Sequence, residues 1–178
     1  MIKANEYPVL EFDTDQDAVV NPFKWNLEQF KTDKLIITFF PEVMESLKNE
    51  GLIELEQKIS GENPVYVYRF TDAPDIMITL GYVGCPACAG NLEFFAAAGL
   101  TKVMFCGGGG VLDKNIKVGE LLVVEGAIRD EGFSYRYIEP SRYIYIRKSL
   151  PERQASVPVS GCKKGSLRKN FAPKGYFA

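Results

Sequence analysis

Residues 34–39 (KLIITF) form a continuous apolar, β-branched run, which predicts a strand buried on both faces. A helix is expected over 42–49, because Pro41 suits a first helical turn and Gly51 stops the pattern. Residues 65–70 (VYVYRF) alternate and predict another strand, and 75–80 (DIMITL) predict a further buried one. A glycine-punctuated turn at 81–84 leads into a helix over 87–98, with Leu92, Phe94 and Phe95 on its apolar side and Gly99 closing it. Residues 102–106 (KVMFC) predict a short buried strand that runs straight into four consecutive glycines, 107–110. A last strand is expected at 121–124, entered through 116–118, followed by a polar loop at 127–132 and a brief extended stretch at 135–137. The first 33 residues are mixed, with a turn at Asn21 to Phe23 and a short helix at 25–30. Strands alternating with helices place the chain in the α/β class, layered around a mostly parallel or mixed sheet.

Composition narrows this picture. A length of 178 residues suits one domain. Hydrophobic residues at 46% and charged residues at 25% are ordinary for a globular chain. No apolar run reaches the roughly 18 residues of a membrane span, and MIKANEYPVLEFD has no apolar signal region, so the expected compartment is the cytoplasm. The net charge of −2 hides an asymmetry. Eight basic residues (Arg147, Lys148, Arg153, Lys163, Lys164, Arg168, Lys169, Lys174) face one acid, Glu152, in residues 147–178. That segment also holds Pro151, Pro158 and Pro173 and shows no periodicity, so a domain over 1–146 and a basic, aperiodic tail over 147–178 are expected. Aromatic residues are sparse in the tail, so nucleic-acid binding is not expected.

The chain has no histidine, which excludes His-based triads, His general bases and His metal ligands within it. Cys85, Cys88, Cys106 and Cys162 are too few for a disulfide scaffold. Cys85-Pro86-Ala87-Cys88 lies between a strand and a helix, the context of a redox CxxC, where a helix N-terminus lowers the first thiol's pKa. The alternative is two small buried residues packing a helix start. A zinc site would need about four ligands, and no metal is expected. The glycines at 107–110 let backbone N–H groups approach a ligand closely and adopt positive φ. Sites in layered sheets lie beyond the carboxyl ends of strands, where this loop falls. The loop fits neither GxxxxGK[ST] nor a dinucleotide fingerprint. Arg129-Asp130-Glu131-Gly132 has the composition of a solvated turn with local ion pairing.

From Gly81 to Pro140 the sequence resembles the middle of the uridine and purine nucleoside phosphorylases. Their pattern is a GMGxPS turn, a helix, a strand ending in RxG[ST]xG, then IxxGD and an [AV]xRDEGxSYxY-like loop. The match runs through Gly84 and Pro86, Gly107 and Gly110, Ile116-Lys117-Val118-Gly119-Glu120, and Ala127-Ile128-Arg129-Asp130-Glu131-Gly132-Phe133-Ser134-Tyr135. YPVLEFD and KLIITFFPEV resemble the family's N-terminal portion more weakly.

The resemblance implies a three-layer α/β/α sandwich with a mixed sheet, phosphorylase/hydrolase-like, assembled into homo-oligomers. It implies cleavage of the N-glycosidic bond of a purine or pyrimidine nucleoside by phosphate, giving a free base and a pentose 1-phosphate. Phosphate is then a co-substrate, and no cofactor is expected. By the same resemblance Gly84 and Gly108 are placed at the phosphate, and Gly108, Gly109 and Gly110 at the substrate; no catalytic side chain is identified. The family's phosphate-binding Gly and Arg of the first strand–turn fall near Phe39 and Val43. Its Arg before the glycine loop falls at Phe105, its loop Ser or Thr at Gly108, and the Ser of GMGxPS at Ala87. The resemblance fades after Ser141-Arg142-Tyr143, and members of the family continue well beyond this length. A truncated, incomplete domain with an out-of-frame tail is therefore expected.

Overall fold

The apolar runs become strands in the computed structural model, which describes residues 2–15, 17–61, 63–145 and, by backbone alone, 163–165. In chain order the elements are β1 (Ile2–Lys3), β2 (Phe12–Asp13), β3 (Lys34–Thr38), α1 (Pro41–Asn49), β4 (Ile53–Ile59), β5 (Val65–Phe70), β6 (Met77–Leu80), α2 (Cys85–Ala97), β7 (Lys102–Cys106), β8 (Leu122–Val124), β9 (Gly126–Ile128), β10 (Tyr143–Tyr145) and β11 (Lys163–Gly165). They fall into two units: residues 15–109, and the described residues before 15 together with those after 109.

The first unit holds a five-stranded sheet in the order β4-β5-β6-β3-β7. Strand β3 runs parallel to β6 and β7, while β4, β5 and β6 pair antiparallel in sequence, so the sheet is mixed. Side chains alternate across a strand. Leu35 and Ile37 of β3 therefore join Val65, Val67, Met77, Phe95 and Leu100 in one core on the α2 side. Ile36 joins Met44, Ile53 and Ile78 in a second core on the α1 side. One helix on each face of the sheet gives the three-layer sandwich.

Both helices begin with a proline in the first turn and end before a glycine at positive φ; the sequence pattern anticipates Pro41 and both glycines. Helix α1 also carries Glu42 in its first turn and Lys48 in its last, each suited to the nearby end of the helix dipole.

Several expectations change. Residues 25–30 form no helix; a 3-10 turn at Pro22–Lys24 precedes them, with the Asn21 side chain capping Phe23 N–H. The Trp25 ring packs 5.4 Å from Phe94 of α2, and Phe30 N–H donates to Ala98 O at 3.0 Å. Strand β4 (IELEQKI) was not expected, because Glu54, Glu56 and Lys58 mask its pattern. Their charges suit an edge position, where Glu56 meets Lys31 at 3.0 Å and Arg69 Nε at 3.1 Å, and Arg69 also pairs with Glu54. Hydrogen bonding from Lys31, aided by Arg69, holds the Glu56 carboxyl below the usual range. Residues 102–106 are not buried: β7 pairs only with β3 among the described residues, leaving Met104 54% and Phe105 48% exposed.

Among the described residues, the second unit contains three two-stranded ladders: β1 with β2 antiparallel, β9 with β10 antiparallel, and β8 with β11 parallel. Strand β11 lies within the basic tail; the rest of the 147–178 segment lies outside the described residues. Residues 135–137 are not extended, since Ser134–Arg136 is a 3-10 turn. Among the described residues, no helix is long and apolar enough to cross a membrane.

Candidate functional site

Because β3, β6 and β7 are parallel, their carboxyl ends share one edge of the sheet. The register sets Thr38 beside both Leu80 and Cys106. Three loops leave this edge: Phe39-Phe40 after β3, Gly81 to Gly84 after β6, and Gly107 to Gly109 after β7. Gly81 N–H donates to Thr38 O at 2.8 Å, and Phe39 N–H donates to Cys106 O at 3.0 Å, so backbone bonds tie all three together. The connection from β6 through α2 to β7 passes over β3, so β3 has one partner on each side. Such a switch in strand order opens a crevice outside the carboxyl ends, the usual ligand position in layered sheets.

The Phe39 ring occupies the middle of this edge. A Cβ at Gly81 would lie 2.7 Å from Phe39 Cε1 and 2.7 Å from Ile37 Cγ2. A Cβ at Gly107 would lie 3.1 Å from Phe39 Cδ2, on the ring's opposite side. The ring therefore sits between the first glycines of the two loops. The neighbouring Phe40 ring lies against Gly108, 3.5 Å from where a Cβ would stand. The sequence marked Phe39 only as the counterpart of a family glycine and did not single out Phe40; two consecutive phenylalanines at the end of a strand were the available signal.

The glycines read as site residues divide by environment. Gly84 precedes α2 with φ +111, and no atom lies within 4 Å of its Cβ position. Gly109 and Gly110 are equally open. None of Gly107 to Gly110 has positive φ, so conformational freedom does not explain that run; close approach to Phe39 explains Gly107 alone. Gly84, Gly108 and Gly109 lie in the loops at one sheet edge, and Gly110, which ends the glycine run, is the first residue of the later part of the second unit. Val43 and Phe105 are exposed, on α1 and β7 respectively, and Ala87 is exposed in the first turn of α2. None of the three loops carries a formal charge at neutral pH.

Replacing Gly81 with alanine is expected to lower the stability of the sheet unit by about 1–3 kcal/mol, the usual cost of overpacking. Adding Phe39→Ala should restore part of the loss, since Ile37 stays in place. Urea midpoints of the single and double variants measure this coupling, and equal midpoints for Gly81→Ala and the parent chain would contradict it.

A larger open hollow of about 600 Å³ lies at the opposite edge, lined by Thr32, Asp33, Lys34 and Asp75 among others. Its charges are satisfied internally: Lys34 pairs with Asp75 at 2.5 Å and Lys102 with Asp33 at 2.9 Å. The hydrogen bonds from Lys102 and Thr101 hold the Asp33 carboxyl below its ordinary range, and Lys34 does the same for Asp75. The hollow flanks the amino ends of the strands and acts as an ion-paired rim.

In the second unit, Arg129 is not part of a solvated turn. It is only 5% exposed. Its Nε donates to Ser134 Oγ at 2.8 Å, Nη1 to Glu139 O at 2.7 Å and to Ser141 Oγ at 2.9 Å, and Nη2 to Ile138 O at 3.0 Å. The guanidinium lies 4.2 Å from the centre of the Tyr135 ring, whose hydroxyl donates to Arg129 O at 2.7 Å. Glu131 accepts from the backbone N–H groups of Phe133 and Ser134, each at 2.8 Å, and from the Ser134 hydroxyl. The charged run therefore holds the 129–141 loop in shape.

The family model of the phosphorylase superfamily matches residues 33–165, extending past Tyr143 through β11. A guanosine phosphorylase from Halorubrum lacusprofundi is 35% identical over 66 residues, covering 37% of this chain and 27% of that relative. A uridine phosphorylase structure from Vibrio fischeri superposes with a TM-score of 0.53 at 23% identity, covering 67% of this chain and 54% of that one. A second structure of the Vibrio fischeri uridine phosphorylase, complexed with 6-hydroxy-1-naphthoic acid, gives a TM-score of 0.51 at 27% identity, covering 61% and 44%. The chain thus spans about half the length of these solved structures and about a quarter of the curated relative. With a family match that covers both units and a three-layer fold shared with these structures, the chain belongs to the phosphorylase superfamily.

Proposed function

We propose that this chain serves phosphorolytic cleavage of the N-glycosidic bond of a purine or pyrimidine nucleoside, releasing the free base and a pentose 1-phosphate. The observation that carries this reading is the convergence of the 39–40, 81–84 and 107–109 loops at the carboxyl ends of β6, β3 and β7. Departure of the base leaves oxocarbenium-like charge on the sugar, which a phosphate held beneath it stabilises. In this proposal, backbone amides at Gly84 and Gly108 hold the phosphate co-substrate, and Gly108 and Gly109 face the nucleoside; an oxyanion is well served by N–H donors. Residues 1–146 act as the phosphorylase-like domain, with 147–178 as a tail. Homo-oligomeric assembly and a cytoplasmic location belong to the same proposal.

Incubation with inosine, guanosine or uridine tests it. Base release that requires phosphate, matched by pentose 1-phosphate, is the expected result; no release at saturating phosphate overturns it. A second reading, a nucleoside-binding relic without turnover, is favoured by the Phe39 ring between Gly81 and Gly107 and by the absence of charge on the three loops. Nucleoside binding by calorimetry without any base release would select that reading.

A further inference from the structure

The helix that follows β6 carries a feature that nucleoside cleavage does not use. Cys85 is its first residue and Cys88 lies one turn on. Three residues apart in a helix, two Cα atoms stand about 5 Å apart, inside the roughly 4.4–6.8 Å that a disulfide spans. Both residues carry thiols in this structure. Their settings differ. Cys85 is exposed, whereas Cys88 is half-buried beside a void of about 10 Å³ lined by Ile37, Val65, Thr79 and Phe95. Burial pushes the Cys88 thiol above its ordinary range. Cys85, by contrast, stands exposed in the first turn of α2, within reach of a soluble disulfide. Cys88 N–H donates to Gly84 O at 3.0 Å, so the turn that brings the pair together is already closed.

We propose that Cys85 and Cys88 form a redox-active dithiol that exchanges with low-molecular-weight disulfides. The Cys85 thiolate attacks one sulfur of the disulfide RS–SR. A Cys85–SR bond forms, the S–S bond breaks, and RS⁻ leaves and takes up a proton. Cys88, deprotonated in turn, attacks Cys85 Sγ, forms the Cys85–Cys88 disulfide and expels the second RS⁻. Two electrons pass from the dithiol to the disulfide, giving two RSH. Nothing in this exchange depends on nucleoside turnover, so failure of either proposal leaves the other standing.

The full chain, incubated with oxidised glutathione as the probe and mapped by mass spectrometry of proteolytic fragments, provides the test. The expected product is an internal Cys85–Cys88 disulfide with no glutathione retained on either residue. Cys88→Ser should trap one glutathione on Cys85, and Cys85→Ser should leave Cys88 unmodified over the same period. In the reduced parent chain at neutral pH, Cys85 should alkylate with iodoacetamide about tenfold or more faster than Cys88, because it is exposed while Cys88 is half-buried with its thiol held above the ordinary range. Because the fragments are read directly in the parent chain, the result does not hinge on any variant folding. Both cysteines remaining reduced in excess oxidised glutathione, or glutathione settling on Cys88 in preference to Cys85, overturns the proposal.

Discussion

Replacing Arg129 with alanine is expected to destabilise the loop of residues 129–141 by about 2–4 kcal/mol, because hydrogen bonds to a charged group are worth about 1.5–3 kcal/mol each and those of one guanidinium do not simply add. The variant loses four donated hydrogen bonds and leaves the Ile138 and Glu139 carbonyls without their donor. Amide hydrogen exchange is the suitable measurement, because it reports stability region by region. Exchange across 126–145 should accelerate by about thirtyfold to a thousandfold, since each 1.4 kcal/mol is worth a factor of ten. Arg129→Lys should recover little, because an ammonium cannot reproduce the planar fork that reaches Ser134, Ser141 and two carbonyls at once. Protection across 126–145 equal to that of the parent chain would show that the network is dispensable.

A loss of similar size is expected in the sheet unit from Phe95→Ala, about 3–5 kcal/mol, the usual range for removing a buried phenylalanine. Phe95 is 2% exposed and anchors α2 to Leu35, Ile37, Val65, Val67 and Met77 of the sheet. It also meets Phe30 edge-on, with ring centres 6.3 Å apart. The only tryptophan, Trp25, packs on the adjacent Phe94, so its fluorescence reports this helix. The urea midpoint followed by Trp25 should fall well below that of the parent chain. Because α2 carries Gly84 at its start and connects β6 to β7, loosening it should also displace the 81–84 and 107–109 loops from each other. A midpoint within experimental error of the parent would mean that α2 is held by something other than this core.

Much of the first unit was legible along the chain. The runs at 34–39, 65–70 and 75–80 announced β3, β5 and β6, because strands buried in a sheet repeat apolar residues densely enough to be seen locally. Pro41 with Gly51 bracketed the first helix, and the 81–84 turn with Gly99 bracketed the second. Motif spacing from Gly84 to Tyr135 was enough to identify the family, and the match in fact runs on to Gly165. Strand β4 was hidden because an edge strand tolerates charges on alternate positions. The segment 25–30 had helical composition, yet Trp25 and Phe30 are committed to α2 and the residue after it, and those contacts outweigh a weak local preference. Arg129 read as solvated because composition counts charges without knowing which loop will close over them.

The glycine loops show where local information ends. Their position after strands could be read directly, since Gly81 and Gly107 each follow an apolar run. Their environment could not. Periodicity records which side of a strand is apolar but carries nothing about which strands will adjoin. The order β6-β3-β7 arises from a long-range crossover of α2, and only that pairing brings Gly81 and Gly107 to opposite edges of the Phe39 ring. The chain's pattern thus determined the elements, the family and the candidate loops. The packing of distant segments decided that an aromatic ring fills the space between those loops, and that a charged motif, buried under its own loop, holds structure together.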